Sequence, residues 1–432
     1  MSVTPPKLAV VSDLPQADVG ADRKFVAPDY ASEIASTEPY ATGGAQLYVY
    51  SDGHYQPGER HLQQRIVELL GDGWTKRRAE EIVAFLRITS PELWESPPVN
   101  TINVTNGLDV TTRELKPHTP EHLSPVRIAA TYYPGATCPA INAFLDSTIP
   151  DLTAIFMEIV GYVITPDNRL QKAFFFIGPG GTGKSTAANV IRGLLGSENV
   201  AAVALHQLED DRFATADLYG RLANVFADLD ARALRSSSMF KSITGGDRIR
   251  AERKHRNSFE FAPYARLIFS ANEAPPTADN SNAFFERWVI VPFQRKHRGA
   301  AHCDNDLLAK LTTPAELSGL LNLALAGLDR LHQQHGFSHA ASSDQAAERF
   351  RVDADSAAGF LEERCELDPD ARIAKPVLFT AYKTWCEDNN RRPLAAQRFN
   401  RRLRELHTGQ QLAEIASEGR DYWIGINLRE QP

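Results

Sequence analysis

The chain has 432 residues, more than one hydrophobic core usually organises, and this length predicts about three domains. An apolar content of 43% and a charged content of 23% exclude a largely disordered chain, and no apolar run approaches the roughly 20 residues of a membrane span. The formal net charge of −7 argues against general coating of nucleic acid, so any DNA contact must come from a local basic cluster. With no secretory leader pattern, we expect a cytoplasmic protein.

The first 150 residues predict a tail and a small domain. Residues 1–44 are rich in Pro, Ala, Ser and Asp without periodicity, which predicts a flexible tail. Residues 45–150 mix helical and strand patterns and predict a compact α/β domain whose function its residues do not indicate. The patterns are a strand at 47–50, helices at 61–70 and 76–86, and a β-like stretch at 101–104.

The segment 151–338 alternates strands and helices, as a parallel α/β domain does, and contains the most specific motif of the chain. Residues 178–185 meet the GxxxxGK[ST] template between a strand-like segment and a helical one. Backbone N–H groups of the glycines can surround phosphates, Lys184 can reach the β- and γ-phosphates, and the Ser185 hydroxyl can ligate Mg²⁺. The alternative is a glycine-rich turn with an incidental lysine. The predicted ATP-binding residues are Gly178, Pro179, Gly180, Gly181, Thr182, Gly183, Lys184, Ser185 and Thr186.

ATP hydrolysis also requires a carboxylate at the end of a neighbouring strand, because this group holds Mg²⁺ and orients the attacking water. The apolar run 222–227 ends in Asp228, which we predict as that acid and metal ligand. Asp230 would point the same way only if the strand continued. The alternative is an ordinary exposed acid at a strand end.

A cluster of cations follows the acid strand. Phe259–Phe261 comes next, as if returning along a hairpin, so we predict a basic loop aimed at phosphates. The alternative is a solvated charge run. The cations are Arg248, Arg250, Arg253, Lys254, His255 and Arg256.

Two further residues complete the predicted ATP site. Asn272 ends a third apolar strand, where its amide can hydrogen-bond the γ-phosphate or the lytic water. Arg287 stands just before a fourth strand, and a fixed guanidinium there can neutralise the charge that develops on the transferred phosphoryl group, often from a neighbouring subunit. The alternative for Arg287 is a cap on the sheet edge.

The C-terminal part is predicted to be helical. A buried amphipathic helix spans 316–328, and a polar stretch at 339–358 separates it from a last unit at 359–432. That unit has two helical segments, 378–386 and 395–406, around a turn, and then a short strand. The second helix carries Arg398, Arg401 and Arg404 away from its apolar seam, and we predict that they contact DNA. The alternative is a helical subunit contact with solubilising arginines.

The order of five motifs resembles the superfamily 3 helicases of phage and plasmid primase-helicases. The motifs are the glycine loop, the Asn-Val-Phe-Ala-Asp strand, Thr-Gly-Gly-Asp-x-Ile-x-Ala-Glu-x-Lys, Ser-Ala-Asn-Glu and Phe-Phe-Glu-Arg-Trp. The resemblance spans residues 45–430 and includes the family's pre-helicase domain. It implies an AAA+-type P-loop ATPase core, a C-terminal winged helix, and a hexameric ring that binds ATP between subunits and passes DNA through its centre.

The same resemblance implies the role of each motif residue. Lys184 and its loop match the Walker A motif, Asp228 the Walker B acid, Asn272 the polar residue of motif C, and Arg287 the arginine finger. The predicted catalytic residues are therefore Lys184, Asp228, Asn272 and Arg287. Residues 253–256 fall on the DNA-contacting hairpin.

Two positions depart from the family's usual pattern. Ala227 stands where many members have a second acid, and Glu286 stands where many have a first arginine. The Asp228 carboxylate must then both bind the metal and orient the water, or Asp230 must take over one of these tasks. Longer members add a primase unit, but we expect no primer synthesis from the tail and small domain found here.

We therefore expect an ATP-dependent DNA helicase that unwinds duplex DNA during replication of a phage, prophage or plasmid-like element. It would act in the cytoplasm of a bacterial host, with replication proteins as further partners. One alternative is an ATP-switched replication initiator or loader that unwinds nothing. The other is a monomeric small-molecule phosphotransferase, which would need a lid and an acceptor pocket.

Overall fold

A computed structural model of the chain describes residues 25–94, 98–107, 112–229, 236–254, 257–275, 277, 279, 281–296, 304–389, 391, 393–406, 412–417 and 420–429. Among these residues, no helix combines the length and apolarity that crossing a lipid bilayer requires.

Residues 25–94 form an N-terminal unit, in which an antiparallel sheet of order β1-β2-β3 packs with three helices. The predicted strand and helical pair are present. The elements are α1 (Ala27–Thr37), β1 (Tyr40–Gly43), β2 (Gln46–Ser51), β3 (His54–Pro57), α2 (Glu59–Leu70) and α3 (Lys76–Thr89).

The predicted tail is wrong from residue 25 onward, because α1 and β1 lie within it. Ala31 and Ile34 of α1 are buried in a cluster with Ile82 and Leu86 of α3, and Pro28 favours the first turn of the helix. The β-like stretch at 101–104 is also not a strand, since Val104 makes only an isolated bridge.

The central unit is built on a five-stranded sheet of order β10-β4-β9-β6-β5, in which every pairing is parallel. This confirms the predicted parallel α/β architecture. Its elements are α4 (Pro139–Thr148), α5 (Thr153–Val163), β4 (Ala173–Ile177), α6 (Lys184–Leu195), β5 (Val200–Ala201), α7 (Leu205–Asp210), β6 (Ala223–Phe226), α8 (Ser238–Gly245), β7 (Ile249–Ala251), β8 (Phe259–Phe261), β9 (Arg266–Ala271), α9 (Asn282–Phe285), β10 (Trp288–Pro292), α10 (Leu307–Leu311), α11 (Pro314–Gln334) and α12 (Ala341–Ala354).

The strand β4 is apolar throughout because both faces of the sheet are covered. Phe174 and Phe176 face a core that includes α5, α6 and α11, whereas Phe175 packs on the other face against Trp288 and Phe350. The first core also takes in side chains from upstream of residue 150, so packing continues across the predicted domain boundary.

The polar stretch at 339–358 is not a separator, because most of it forms α12. This helix packs along β10 through Phe350, and the Ser343 hydroxyl donates to the Ile290 carbonyl oxygen at 2.6 Å. A single aromatic anchor on a polar helix left no periodic pattern from which the packing could be predicted.

The C-terminal unit places an antiparallel sheet of order β11-β13-β12 against three helices. The two predicted helices and the final strand are present, and Tyr382 stacks on Phe399 at 4.2 Å between ring centroids in the core. The elements are α13 (Ser356–Arg364), β11 (Cys365–Ala374), α14 (Lys375–Asp388), α15 (Ala396–Leu406), β12 (Ala413–Ser417) and β13 (Arg420–Leu428).

Candidate functional site

The glycine loop, residues 178–183, connects β4 to the start of α6 at the carboxyl edge of the parallel sheet. Gly178, Gly181 and Gly183 have φ of +146°, +80° and +98°, a region that side chains disfavour. A Cβ on Gly178 would lie 2.0 Å from the Phe293 carbonyl oxygen. The loop therefore requires glycine, and it directs the positive end of a 12-residue helix toward the sheet edge.

Lys184 is buried beside this loop, with only 8% of the residue exposed. Its ammonium donates to the carbonyl oxygens of Gly178 and Pro179, the latter at 2.8 Å, and to the Asn272 Oδ1 at 3.2 Å. Burial lowers the pKa of Lys184, and the negative charge of Asp228 opposes that shift. The structure thus brings together Lys184 and Asn272, which are 88 positions apart.

Asp228 lies just beyond β6 at the same edge, because β9 separates β6 from β4 and all three strands run parallel. It has a φ of +66°, which acidic and amide side chains tolerate better than most. Its N–H donates to the Ser270 Oγ at 3.4 Å, and the next N–H, of Leu229, donates to the Ser270 carbonyl oxygen at 2.7 Å. Asp230 lies outside the described residues.

Ser270 is the residue that sequence reasoning missed. It is buried on β9, two positions before Asn272, and both of its oxygens hold the turn that carries Asp228. The available signal was a lone hydroxyl in an otherwise apolar strand, which needs a hydrogen-bond partner when buried.

Arg287 lies at the other end of the strands, the amino end of the sheet, opposite the glycine loop. It precedes β10, whose first residue pairs with the first residue of β4. At about 3.3 Å per residue, the length of β4 separates it from its own glycine loop by about 16 Å. The Arg287 guanidinium donates to the Thr244 Oγ1 at 3.0 Å, to the Gln171 Oε1 at 3.3 Å and to the Ala283 carbonyl oxygen. The structure does not bring Arg287 to Lys184.

The predicted hairpin is present as the antiparallel pair β7 and β8. Lys254 is exposed in its loop. Arg253 instead turns toward the N-terminal unit, where it donates to the Gly44 carbonyl oxygen at 2.8 Å and lies over the Phe259 ring at 5.1 Å. His255 and Arg256 lie outside the described residues.

Lys241, which carried no predicted role, forms an ion pair with Asp279 at 2.8 Å. Burial raises the pKa of Asp279, but hydrogen bonds from Lys241, Ser237 and Ser281 outweigh that and hold it at about 2. This pair stabilises the structure next to α8.

The arginines of α15 are exposed as predicted, with Phe399 and Leu403 buried on the other face. Arg401 pairs with Glu405 at 3.7 Å, and Arg404 pairs with Glu414 and holds the pKa of that carboxyl at about 2. The sequence did not single out Arg402, which forms a buried ion pair with Asp355 at 2.6 Å.

Comparison with known families gives two matches. Residues 176–287 match a family of unknown function (DUF5906), and residues 352–423 match the family described as Poxvirus D5 protein-like. The first match contains the glycine loop, Asp228, Asn272 and Arg287, and the second covers most of the C-terminal unit.

Two viral relatives are similar over somewhat more than a third of this chain. The protein named "Putative helicase 121R" of Invertebrate iridescent virus 3 is 26% identical over 37% of this chain, and "Putative helicase L207/L206" of Acanthamoeba polyphaga mimivirus is 23% identical over 36%. The matched segments span 18% and 17% of those two proteins.

Solved structures match at the level of the fold. The A form apo structure of the NrS-1 C terminal region superposes with a TM-score of 0.52 at 13% identity, and the match covers 92% of this chain and 98% of that one. The C-terminal unit is thus similar to the Poxvirus D5-like family, part of the chain is similar to two viral proteins named putative helicases, and the chain shares its fold with the NrS-1 C terminal region.

Proposed function

We propose that the chain is an ATP-dependent DNA helicase that works as a hexameric ring in replication of a phage, prophage or plasmid-like element. The observation that carries the proposal is the gathering of Lys184, Asn272 and Asp228 at one edge of a parallel sheet, around the loop of residues 178–183. The carboxyl edge of such a sheet is where α/β proteins bind ligands.

The residues at this edge suit a nucleoside triphosphate with Mg²⁺. Within the described part of the chain, the three hydrogen-bond partners of the Lys184 ammonium are neutral oxygens, so a buried cation is available to neutralise an anion. A side chain at Gly178 would collide with the Phe293 carbonyl oxygen, so the loop follows a backbone path that requires glycine. Glycine-rich turns of this kind present backbone N–H groups to phosphate oxygens. The loop thus fits the P-loop assignment.

Each residue then has a distinct task. Lys184 would exchange carbonyl oxygens for phosphate oxygens, Ser185 and Asp228 would hold the metal, and Asn272 would orient the γ-phosphate or water. Bound Mg²⁺ supplies neutralisation of the charge that develops on the phosphoryl group. Ser270 positions Asp228 through the two hydrogen bonds to its turn.

The position of Arg287 supports a ring. A sheet length separates it from the glycine loop of its own subunit, so an arginine finger at this position would have to act on the ATP of a neighbour. Leaving its present partners Thr244 and Gln171 would be part of ring closure.

The C-terminal unit supports contact with DNA. Its order of helix, strand, two helices and two strands supports the winged-helix assignment, in which α15 would be the recognition helix. Arg398 and Arg401 on α15 are exposed to solvent. Glu405 neutralises part of this face, so we assign these arginines to phosphate contact rather than to base readout.

The function is tested by unwinding of a forked duplex with ATP, with size measured in the presence and absence of nucleotide. Unwinding by an ATP-dependent hexamer supports the proposal. A monomer whose ATP turnover does not respond to oligonucleotide contradicts it and favours the phosphotransferase alternative.

An initiator or loader is the second candidate, and Ala227 is the residue that favours it. With Ala227 before Asp228, one described carboxylate serves both metal and water, which suits slow turnover and use of ATP as an assembly switch. ATP-dependent assembly on DNA without strand displacement would establish this candidate instead.

Replacing Lys254 with Ala is expected to abolish unwinding and leave basal ATP turnover within about twofold. Lys254 is exposed in the loop of the β7-β8 hairpin, which is separate from the five-stranded sheet that carries the glycine loop. Its loss should therefore remove a phosphate contact without disturbing hydrolysis. The control is Lys310→Ala, which removes an exposed lysine that pairs with Asp304. Normal unwinding by the Lys254 variant would show that the hairpin does not drive the strand.

Replacing Ser270 with Ala is expected to destabilise the protein by about 1 kcal/mol and to slow ATP turnover several-fold, because the turn of Asp228 loses a side-chain acceptor. Ser343→Ala is the matched control, since it also removes a buried hydroxyl, bonded at 2.6 Å to the Ile290 carbonyl. Urea unfolding and steady-state turnover measure the two effects. Equal turnover in both variants would leave Ser270 with a structural role only.

A further inference from the structure

We propose that a second site, a cavity of about 310 Å³ between the N-terminal unit and the central unit, binds a nucleotide unit, that is, a phosphate together with an aromatic base. Tyr48 and Tyr55 line it from the N-terminal sheet, and Tyr219 and Arg221 line it just ahead of β6. It therefore lies at the amino end of a strand whose carboxyl end leads to Asp228. The cavity is separate from the glycine loop.

The lining of this cavity is cationic in a chain whose formal net charge is −7. Three arginines face it, Arg127, Arg221 and Arg253, and Glu198 is the acid among its lining residues. The Arg127 Nε is buried and has no hydrogen-bond partner within the described part of the chain. The described residues leave this guanidinium incompletely satisfied, so its charge remains available to an anion in the cavity that Arg127 lines.

The three arginines that line the cavity act on the pKa of two other lining side chains, Tyr48 and His54. Burial raises the pKa of Tyr48, while the charges of Arg253 and Arg221 oppose that shift and so would stabilise a negative oxygen at this position. Burial lowers the pKa of His54, and Arg127 lowers it further. An anion in the cavity would therefore lie among the positive charges of Arg127, Arg221 and Arg253.

The class of ligand follows from the remaining lining. Arginine guanidiniums match phosphate oxygens, and aromatic rings and amide side chains match the face and edges of a base. Tyr48, Tyr55 and Tyr219 supply the rings, and Gln46 and Gln56 supply amides. The volume is at the lower end of the range for small-ligand pockets, about 300–1,000 Å³, which suits one nucleotide.

Arg253 connects this cavity to the hairpin. Its guanidinium already lies 5.8 Å from the centre of the Tyr219 ring and donates to the Gly44 carbonyl, and Lys254 is the next residue. The nucleotide unit can be free in solution or part of a single strand that the hairpin contacts. The strand source rests on the proposed function, whereas the site itself does not.

The test measures binding to the full-length chain without hydrolysis, in a Lys184→Ala background that silences the glycine loop. One arm titrates thymidine monophosphate by calorimetry, and the other titrates fluorescein-labelled oligo(dT) by anisotropy. Arg127→Gln and Arg221→Gln should each weaken at least one ligand about tenfold, because each removes a charge-assisted hydrogen bond. The matched control is Arg77→Gln, whose side chain is 89% exposed on α3 and pairs with Glu81.

A second measurement needs no variant in the cavity. Photo-crosslinking of 5-iododeoxyuridine ligands, read by peptide mass spectrometry, should place adducts on Tyr48, Tyr55 or Tyr219. If the arginine variants bind the mononucleotide more weakly, the ligand is a free nucleotide. If they bind only oligo(dT) more weakly, the ligand is a single strand. Unchanged affinities for both ligands, with no adduct on these tyrosines, overturn the proposal. If the unaltered chain does not hydrolyse ATP, the proposed function is contradicted, but the binding result for this cavity still stands.

Discussion

Replacing Lys184 with Ala is expected to reduce ATP turnover by about 10²–10³-fold or more, since one preorganised donor to developing phosphoryl charge is worth that much in buried sites. Lys184 is buried, and its ammonium is bonded to Gly178, Pro179 and Asn272 at the sheet edge, which fixes this charge beside the glycine loop. Phosphate release at saturating ATP measures the effect, and unwinding should vanish with it.

The control for this variant is Lys76→Ala, because Lys76 is an exposed lysine on α3 that pairs only loosely with Glu80, at 3.7 Å. Circular dichroism and thermal melting should show that both variants remain folded. Turnover by the Lys184 variant close to that of the unaltered chain would remove the glycine loop from the chemistry and overturn the proposed function.

The sequence predicted those parts of the structure that have local signatures. The strand β4, the glycine loop and α6 follow one another within 25 residues, and their apolar run, glycines and helical spacing each predict a different conformation. The parallel sheet follows because strands alternate with helices. Asn272 and Asp228 could be assigned to the same edge for the same reason.

Other parts depend on packing that the local sequence does not show. The helix α1 is held by Ala31 and Ile34, and α12 by Phe350, so one or two anchors decide where otherwise polar segments lie. The direction of Arg253 is set by the carbonyl of Gly44, which is 209 positions away. Neither a basic composition nor a hairpin pattern could predict that one member of the cluster faces inward.

The site near Asp228 shows the same limit on a smaller scale. The acid was found from its place after an apolar strand, but its positive φ and its support from Ser270 depend on the adjacent strand β9. Because the turn is held through Ser270 and not through the Asp228 side chain, the carboxylate remains available to a metal or to water.

Replacing Asp228 with Asn is therefore expected to reduce ATP turnover by about 10²–10⁴-fold while ATP still binds, because the charge is lost and the shape is kept. Asn tolerates the φ of +66°, whereas Ala at this position would add backbone strain and obscure the result. Binding of a fluorescent ATP analogue and single-turnover hydrolysis separate the two effects. The exposed Asp72→Asn change in the N-terminal unit is the matched control.

The same variant tests the electrostatic link to Lys184. Asp228 raises the pKa of the Lys184 ammonium against the effect of burial, so its neutralisation should lower that pKa further. The protonated amine is the form that binds phosphate, and the affinity for ATP should then fall at a lower pH in the variant than in the unaltered chain. Asp230→Asn distinguishes the remaining alternative. An equal loss of turnover there would show that two acids share the task, and full turnover in Asp228→Asn would show that this carboxylate is not the acid that hydrolysis requires.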